Sequence, residues 1–238
     1  VNVLNKILSH PPVSADQTNR WNAKAHRELI LAYDDEYLIE SQEPAGDYPV
    51  YGGAQFYQFS YDDSFFDDID SPKFWSVGED SPQNSAQYRV RKKAFNKGTL
   101  KRAIYDKFDG EKSSKSQKAF VNDLLEKNRK APLSESDIRL DCSEYRIVFR
   151  DVTNSTNERT MIASVIPPEI VCLDSVRTIK PFEIGVDEQD LVKTPLRSVY
   201  KNRFTDKELF VATGLFNSIP FDFLIRTKVN THIPKYKF

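Results

Sequence analysis

The residues of this chain most able to do chemistry are charged, and their order matters more than their number. Asp34 to Asp80 holds thirteen Asp and Glu against one base, Lys73, a balance of −12. Arg89 to Lys130 reverses it, with fourteen Lys and Arg against five acids, and its core from Arg89 to Arg102 has seven bases and no acid. A net charge of −1 hides this polarity. Bases interleaved with aromatics, here Tyr88, Phe95, Tyr105 and Phe108, suit phosphate contact, because each neutralised phosphate releases condensed counterions and the field steers association. The same stretch also suits a solvated, Lys-rich helix pair, and the pattern leaves both readings open.

Catalytic constellations are missing. The sequence has no phosphate-binding G-x-x-x-x-G-K-[ST], no dinucleotide G-x-G-x-x-G, no G-x-S-x-G elbow and no H-E-x-x-H. Nor does any Asp or Glu have a Lys two residues on, the pairing with which restriction-type nucleases hold a cation and activate water. Asp62-Asp63 and Asp67-Asp68 are the carboxylates that could hold a cation, although runs of acids on loops are usually solvated. His26 and His232 stand far apart in polar surroundings. Cys142 and Cys172 lie in apolar contexts that read as strands, and with three histidines there is no closely spaced zinc set.

The elements that must position these residues read as α+β. Tyr48 to Phe59 alternates large residues around Gly52 and Gly53, which predicts a strand, a tight turn or bulge, and a second strand. Lys97 to Phe108 and Ser114 to Lys130 have helical composition, broken at Gly110 to Ser113, and Pro132 stops the second helix. Tyr145 to Val152 and Met161 to Ile166 are β-branched and aromatic around a turn-forming Thr153 to Asn157, which predicts a hairpin closed by Pro167-Pro168. Thr205 and Glu208 form a capping box, so a helix should begin at Asp206 and carry Leu209, Phe210, Leu215 and Phe216 inward. Pro220 should break or kink it before a second piece, Phe221 to Lys228. Asp62 to Pro72 and Gly185 to Pro195 read as loops.

At 238 residues, with 39% hydrophobic and 29% charged residues, the chain is long enough for a buried core and too apolar for disorder. No apolar run approaches the roughly 20 residues that cross a bilayer, and Val1 to His10 lacks the pattern of a signal peptide. The expectation is a soluble, cytoplasmic protein. An opening Val1 in place of Met fits a piece excised from something longer.

Three blocks carry a family resemblance. Arg150-Asp-Val-Thr-Asn-Ser-Thr-Asn-Glu-Arg-Thr160, running on to Pro168, resembles the arginine-to-NERT signature in the specificity region of Eco57I-like type IIG restriction-modification enzymes and related phage-defence methyltransferases acting on adenine N6. Trp21 to Glu28, continuing to Tyr48-Pro-Val-Tyr-Gly-Gly-Ala-Gln-Phe-Tyr-Gln-Phe59, resembles the opening segment of that region, and Leu215 to Val229 its closing helix. Gly53 and Tyr57 depart from the family pattern, and Arg89 to Lys130 matches no family block. The family's cofactor site and Asn-Pro-Pro-Tyr/Phe catalytic loop lie upstream of this region, and neither motif occurs here.

The resemblance implies a target recognition domain with a twisted mixed or antiparallel sheet and flanking helices, spanning residues 1–238. Within it, 1–75 is the opening segment, 76–131 a variable basic helical segment, and 132–238 the hairpin core and C-terminal helix. It implies double-stranded DNA and a covalently linked methyltransferase domain as partners, with no membrane. S-adenosylmethionine belongs to the parent enzyme, and this chain holds no cofactor, metal or catalytic residue. A methyltransferase that extrudes adenine needs the flanking pairs held and checked, and Arg, Asn and Gln do this through bidentate bonds in the major groove. The expected DNA-binding residues are Gln55, Gln58, Arg89, Arg91, Lys92, Lys93, Arg150, Asn154, Thr156, Asn157, Arg159, Arg226 and Lys228. Each has a structural alternative. Asn, Ser and Thr are ordinary turn formers, Glu158 and Arg159 can pair internally, Tyr51, Gln55 and Gln58 suit a strand in the core, and Arg226 and Lys228 complement a helix dipole. Two functional alternatives stand beside this one: an independent metal-dependent nuclease using Asp62 to Asp70, and a protein-interaction module.

Overall fold

A computed structural model describes residues 6, 9, 21–35, 38–40, 48–53, 55–61, 88–90 and 98–227, of which 39, 40 and 88–90 by backbone alone. In chain order the elements are β1 (Ala25–His26), α1 (Leu31–Asp34), β2 (Leu38–Glu40), β3 (Tyr48–Tyr51), β4 (Tyr88–Val90), α2 (Gly98–Lys107) and α3 (Gln117–Arg129). There follow β5 (Arg146–Arg150), β6 (Ala163–Ile166), β7 (Val171–Cys172), β8 (Val176–Ile179), β9 (Phe182–Ile184), β10 (Tyr200–Asn202), α4 (Asp206–Phe216) and α5 (Ile219–Arg226). The architecture is α+β, with antiparallel pairing throughout the named sheets except for parallel β3–β7. The chain divides into two compact units: Val1–Lys92, Glu144–Pro181 and Arg203–Phe238 form unit 1, and Lys93–Ser143 with Phe182–Asn202 form unit 2. The basic helical segment therefore builds its unit with a stretch from much later in the chain, where the sequence suggested three consecutive parts.

In unit 1 the hairpin pairs Arg146 with Ile166 through Phe149 with Ala163, in a sheet of order β1-β8-β5-β6. Because side chains alternate along a strand, Ile147 and Phe149 join Ala163, Ile179, Leu209, Ala212, Phe216 and Ile225 on one face. Val148 joins Phe56, Ile162, Ile166, Cys172 and Val176 on the other. Burial on both faces explains why β5 reads as a continuous apolar run, and each side chain so buried contributes roughly 1.5–3 kcal/mol.

The capping box forms as expected: Thr205 N donates to Glu208 Oε2 at 2.8 Å and Glu208 N to Thr205 Oγ1 at 3.4 Å. The predicted inward set needs correction. Leu209, Ala212, Thr213 and Phe216 are buried at helical spacing, whereas Phe210 and Leu215 are 68% and 51% exposed, because one helix stripe is too narrow to hold all four predicted residues. We expect Phe210→Lys and Leu215→Lys to change the unfolding free energy by no more than about 0.5 kcal/mol, and a marked fall in thermal midpoint would show that these residues are covered in solution. The helix stops at Phe216 and restarts at Ile219 beneath Ser218, whose Oγ accepts from Phe221 N, with a 57° bend between the pieces. Pro220 sits in the first turn of α5, where a missing N–H costs nothing.

The second strand expected before Phe59 does not form. After β3 the Gln55 side chain accepts from Gly52 N at 2.9 Å, and Arg150 Nη2 donates to the Phe56 carbonyl at 2.8 Å. Side chains thus occupy backbone groups that a ladder would need, and only an isolated bridge, Tyr57–Ser60, remains. Cys142 lies in a short 3-10 turn, Asp141–Ser143, and not in a strand, while Cys172 is in β7; both are buried and neither is in a disulfide.

Unit 2 buries Leu100 and Ile104 of α2 and Val121 and Leu125 of α3 with Phe182, Val186, Leu191, Leu196 and Val199. Ser116 caps α3 by accepting from Ala119 N at 3.3 Å. Asp109 turns the chain at φ 55°, and Gly110 follows because the Tyr105 ring fills the space where a Cβ would stand. The predicted loop Gly185 to Pro195 includes a short 3-10 turn, Glu188–Asp190. Asp62 to Pro72 lies outside the described residues.

Candidate functional site

Helices α2 and α3 and the turn between them present several bases of the Arg89 to Lys130 run to solvent, though not all of them carry free charge. Arg102 lies 3.6 Å from Asp106, Lys107 3.5 Å from Asp187 and Lys112 2.9 Å from Asp109, and Lys115 pairs with Asp123. Arg129 is buried on Asp137. Among the described residues Lys101, Lys118, Lys127 and Lys130 form no ion pair, and the last three are exposed. Tyr105 and Phe108, expected to interleave with the bases, turn toward the core of unit 2, where Tyr105 meets Phe120 edge-on at 5.5 Å. Arg91, Lys92, Lys93 and Lys228 lie outside the described residues, and of Arg89 only the backbone in β4 is described.

In unit 1 the three blocks of the resemblance bind one another. Glu28 Oε1 lies 2.9 Å from Arg146 Nε, and Glu28 Oε2 accepts from Cys172 N at 2.8 Å. Asp151 receives Arg27 and Arg177, each at 2.8 Å. Burial alone would raise the Asp151 carboxyl, but the hydrogen bonds from these two guanidinium groups hold it below its ordinary value. Asn217, at the end of α4, behaves as an extra strand residue: its Oδ1 accepts from Ala163 N at 2.9 Å and its Nδ2 donates to Ala163 O at 2.8 Å. Asp222 Oδ1 accepts from Thr160 N at 2.8 Å and Met161 N at 2.6 Å. The Ala163 end of β6, the edge strand, and the residues that lead into it are thereby covered by the closing helices.

Most of the arginines and glutamines expected to meet DNA are spent on this framework. Arg226 donates to the carbonyls of Ser155 at 2.5 Å and Glu158 at 2.8 Å, and Arg159 to that of Asn217. Arg150 stacks 5.8 Å from the ring centres of Phe56 and Tyr57; burial pushes its guanidinium down to about 10, against the opposing influence of Tyr57, so it stays charged at neutral pH. Gln55 closes its own turn, and Gln58 Nε2 donates to Met161 O at 3.2 Å. Of the expected residues whose side chains are described, three face outward. Asn154, Thr156 and Asn157 are exposed at the loop tip, where Asn154 Oδ1 accepts from Thr156 N at 3.1 Å and Asn154 O from Asn157 N at 3.1 Å, leaving the amide of Asn157 and the hydroxyl of Thr156 for solvent or a ligand.

One exposed aromatic of unit 1 is not among the expected DNA-binding residues. Phe59 is 65% exposed with φ 63° at the tip of the Tyr57–Ser60 turn, and its N–H donates to Ala163 O at 3.2 Å. Only the folded turn reveals it, since a Gln-Phe pair is no turn signal. Lys101, Lys118, Lys127 and Lys130 had a signal in the basic run, but which bases lack acidic partners depends on three-dimensional spacing.

Chemically, these surfaces offer cations, amides, hydroxyls and an aromatic ring, which suit binding. Among the described residues no group of three or more His, Cys, Asp and Glu is placed to hold a metal ion, and Asp62, Asp63, Asp67 and Asp68 lie outside them. His26 donates from Nδ1 to Thr178 O at 3.0 Å, a structural bond, and His232 is outside the described residues. No single described helix is long and apolar enough to cross a membrane. The fold is that of an α+β chain with two units, each carrying its own polar surface. No protein-family model matches the chain, and neither does any curated protein.

Proposed function

We propose that this chain is a sequence-specific double-stranded DNA recognition domain of a restriction-modification or phage-defence methyltransferase acting on adenine N6. It positions the target base for a catalytic domain carried by the parent enzyme and does not itself catalyse. The observation that carries the reading is the lysine set of α2 and α3: apolar faces bury these helices, and Lys101, Lys118, Lys127 and Lys130 remain without acidic partners among the described residues. Such charges supply the sequence-independent phosphate term. The exposed Asn154, Thr156 and Asn157 of unit 1 supply groups that can meet base edges. The framework roles of Arg150, Arg159 and Arg226 fit a loop that orients the domain, with base reading left to fewer side chains. The methyltransferase domain and its S-adenosylmethionine follow from the family resemblance, and a cytoplasmic setting is proposed with them.

Titration of the chain against a random-sequence duplex over a range of salt tests this. Replacing Lys101, Lys118, Lys127 and Lys130 together by Gln should flatten the slope of log affinity against log salt by up to about 3.6, at about 0.9 for each phosphate no longer neutralised. An unchanged slope, or no binding by the parent chain even at low salt, rejects the reading. The protein-interaction alternative has one observation in its favour: Val211, Leu215, Ile219 and Phe223, four residues apart along α4 and α5, are all at least half exposed.

A further inference from the structure

We propose that Phe59 is an aromatic wedge that stacks on a nucleobase where the duplex is opened. This rests on the DNA-binding reading above and adds to it the residue that occupies the disrupted stack.

A positive φ is costly for a bulky L-residue and free for glycine. Phe59 adopts φ 63° while its ring stays 65% exposed, so the conformation is not one that burial of the ring explains. The turn is nevertheless rigidly held. Tyr57 and Ser60 exchange backbone hydrogen bonds at 2.9 and 3.1 Å, Phe59 N donates to Ala163 O, and Gln58 Nε2 donates to Met161 O. Behind it Phe56 is fully buried, and its carbonyl accepts from Arg150. These bonds fix the backbone of a protruding ring, as a wedge requires. Tyr61, two residues on, is also 42% exposed.

The turn that carries the ring shares its anchorage with polar groups. Its turn hangs on Met161 and Ala163, the same stretch from which Thr153 to Thr160 loops out with Asn154, Thr156 and Asn157 at its tip. The Glu158 carboxylate is near enough to Tyr57 to reinforce, after burial, the rise of that phenol above its ordinary value. An aromatic face on a turn anchored to the same stretch as these amides and hydroxyls suits a nucleobase, which offers a π-face and hydrogen-bonding edges at once. A duplex from which one base is drawn out has an unstacked step, and apolar side chains commonly fill such steps.

Phe59→Gly separates this role from a structural one. Glycine takes the observed φ without strain and the deleted ring is mostly solvent-facing, so the variant should keep or raise the thermal midpoint. The probes are two otherwise identical 20-base-pair duplexes, one fully paired and one with a central mismatch. The parent chain should prefer the mismatched duplex, whose opening costs less, and Phe59→Gly should bind it about 5- to 150-fold more weakly, the range expected for one base–aromatic stack, and lose the preference. Phe59→Trp should retain the preference, with indole fluorescence quenched on binding. Equal binding by the parent chain and Phe59→Gly overturns the wedge while leaving DNA recognition standing. No salt-dependent binding of either duplex by the parent chain overturns both.

Discussion

Arg146→Ala should cost about 3–5 kcal/mol of unfolding free energy, the loss typical when one member of a buried ion pair is removed. Arg146 is fully buried and Glu28 nearly so. Besides Glu28, the guanidinium donates to Ile170 O at 2.5 Å and Glu144 O at 3.0 Å. Truncation leaves a buried carboxylate without its countercharge and two carbonyls without their donor. The sum is a large share of the roughly 5–15 kcal/mol that holds an ordinary domain folded. A double-mutant cycle locates the cause. Arg146→Met with Glu28→Gln removes both charges and keeps an acceptor for Cys172 N, so the pair of substitutions should cost much less than Arg146→Ala. Urea unfolding measures Arg146→Ala and the double variant, together with Arg146→Met and Glu28→Gln singly to close the cycle. A cost below about 1 kcal/mol for Arg146→Ala would show that water reaches the site.

Asp137→Asn should destabilise unit 2 by a similar amount, about 3–5 kcal/mol. Asp137 accepts from Arg129 Nη2 at 2.7 Å and Nη1 at 2.9 Å, and from the N–H groups of Ser134 and Leu196 at 2.7 and 2.9 Å. Burial alone would raise this carboxyl, but the Arg129 hydrogen bonds and the two backbone donors more than reverse that and hold it far below its ordinary 3.8. A carboxyl depressed on folding stabilises above its unfolded value and loses that contribution as pH falls toward its folded value, because the unfolded chain takes up the proton first. The gap between parent and Asp137→Asn should therefore be constant from neutral pH to about 4 and narrow below it. Hydrogen exchange at the buried turns of α2 and α3 reads unit 2 directly, and a gap that does not narrow in acid would remove Asp137 as the source.

The sequence made several elements legible because their signals are local. The Thr205–Glu208 box, the helices around Leu100 and Val121, and each of the two strands of the Arg146 to Ile166 hairpin are signalled by residues within a few positions of one another. Tyr48 to Phe59 misled for the opposite reason: its alternation is real, but the Gln55 side chain takes Gly52 N and Arg150, from far along the chain, takes the Phe56 carbonyl, so the second strand does not follow. The α4 prediction named the correct helix and put two residues on the wrong side, since apolar character alone did not distinguish the Leu209 stripe from Phe210 and Leu215.

The site divides along the same line. Composition by itself placed the basic run on a helix pair and the polar run in a hairpin loop, because charge and turn chemistry are properties of neighbouring residues. Only the tertiary structure decided which of those groups remain available. Arg150, Arg159 and Arg226 are drawn into bonds with Phe56, Asn217 and the loop carbonyls, partners at distances in sequence that no local pattern encodes. Phe59 shows the converse. Its place at the end of the Tyr48 to Phe59 block predicts a strand, and the bonds its turn donates to the carbonyls of Ala163 and Met161 hold it instead at a positive φ, since a backbone angle is set by everything that holds the chain on both sides of it.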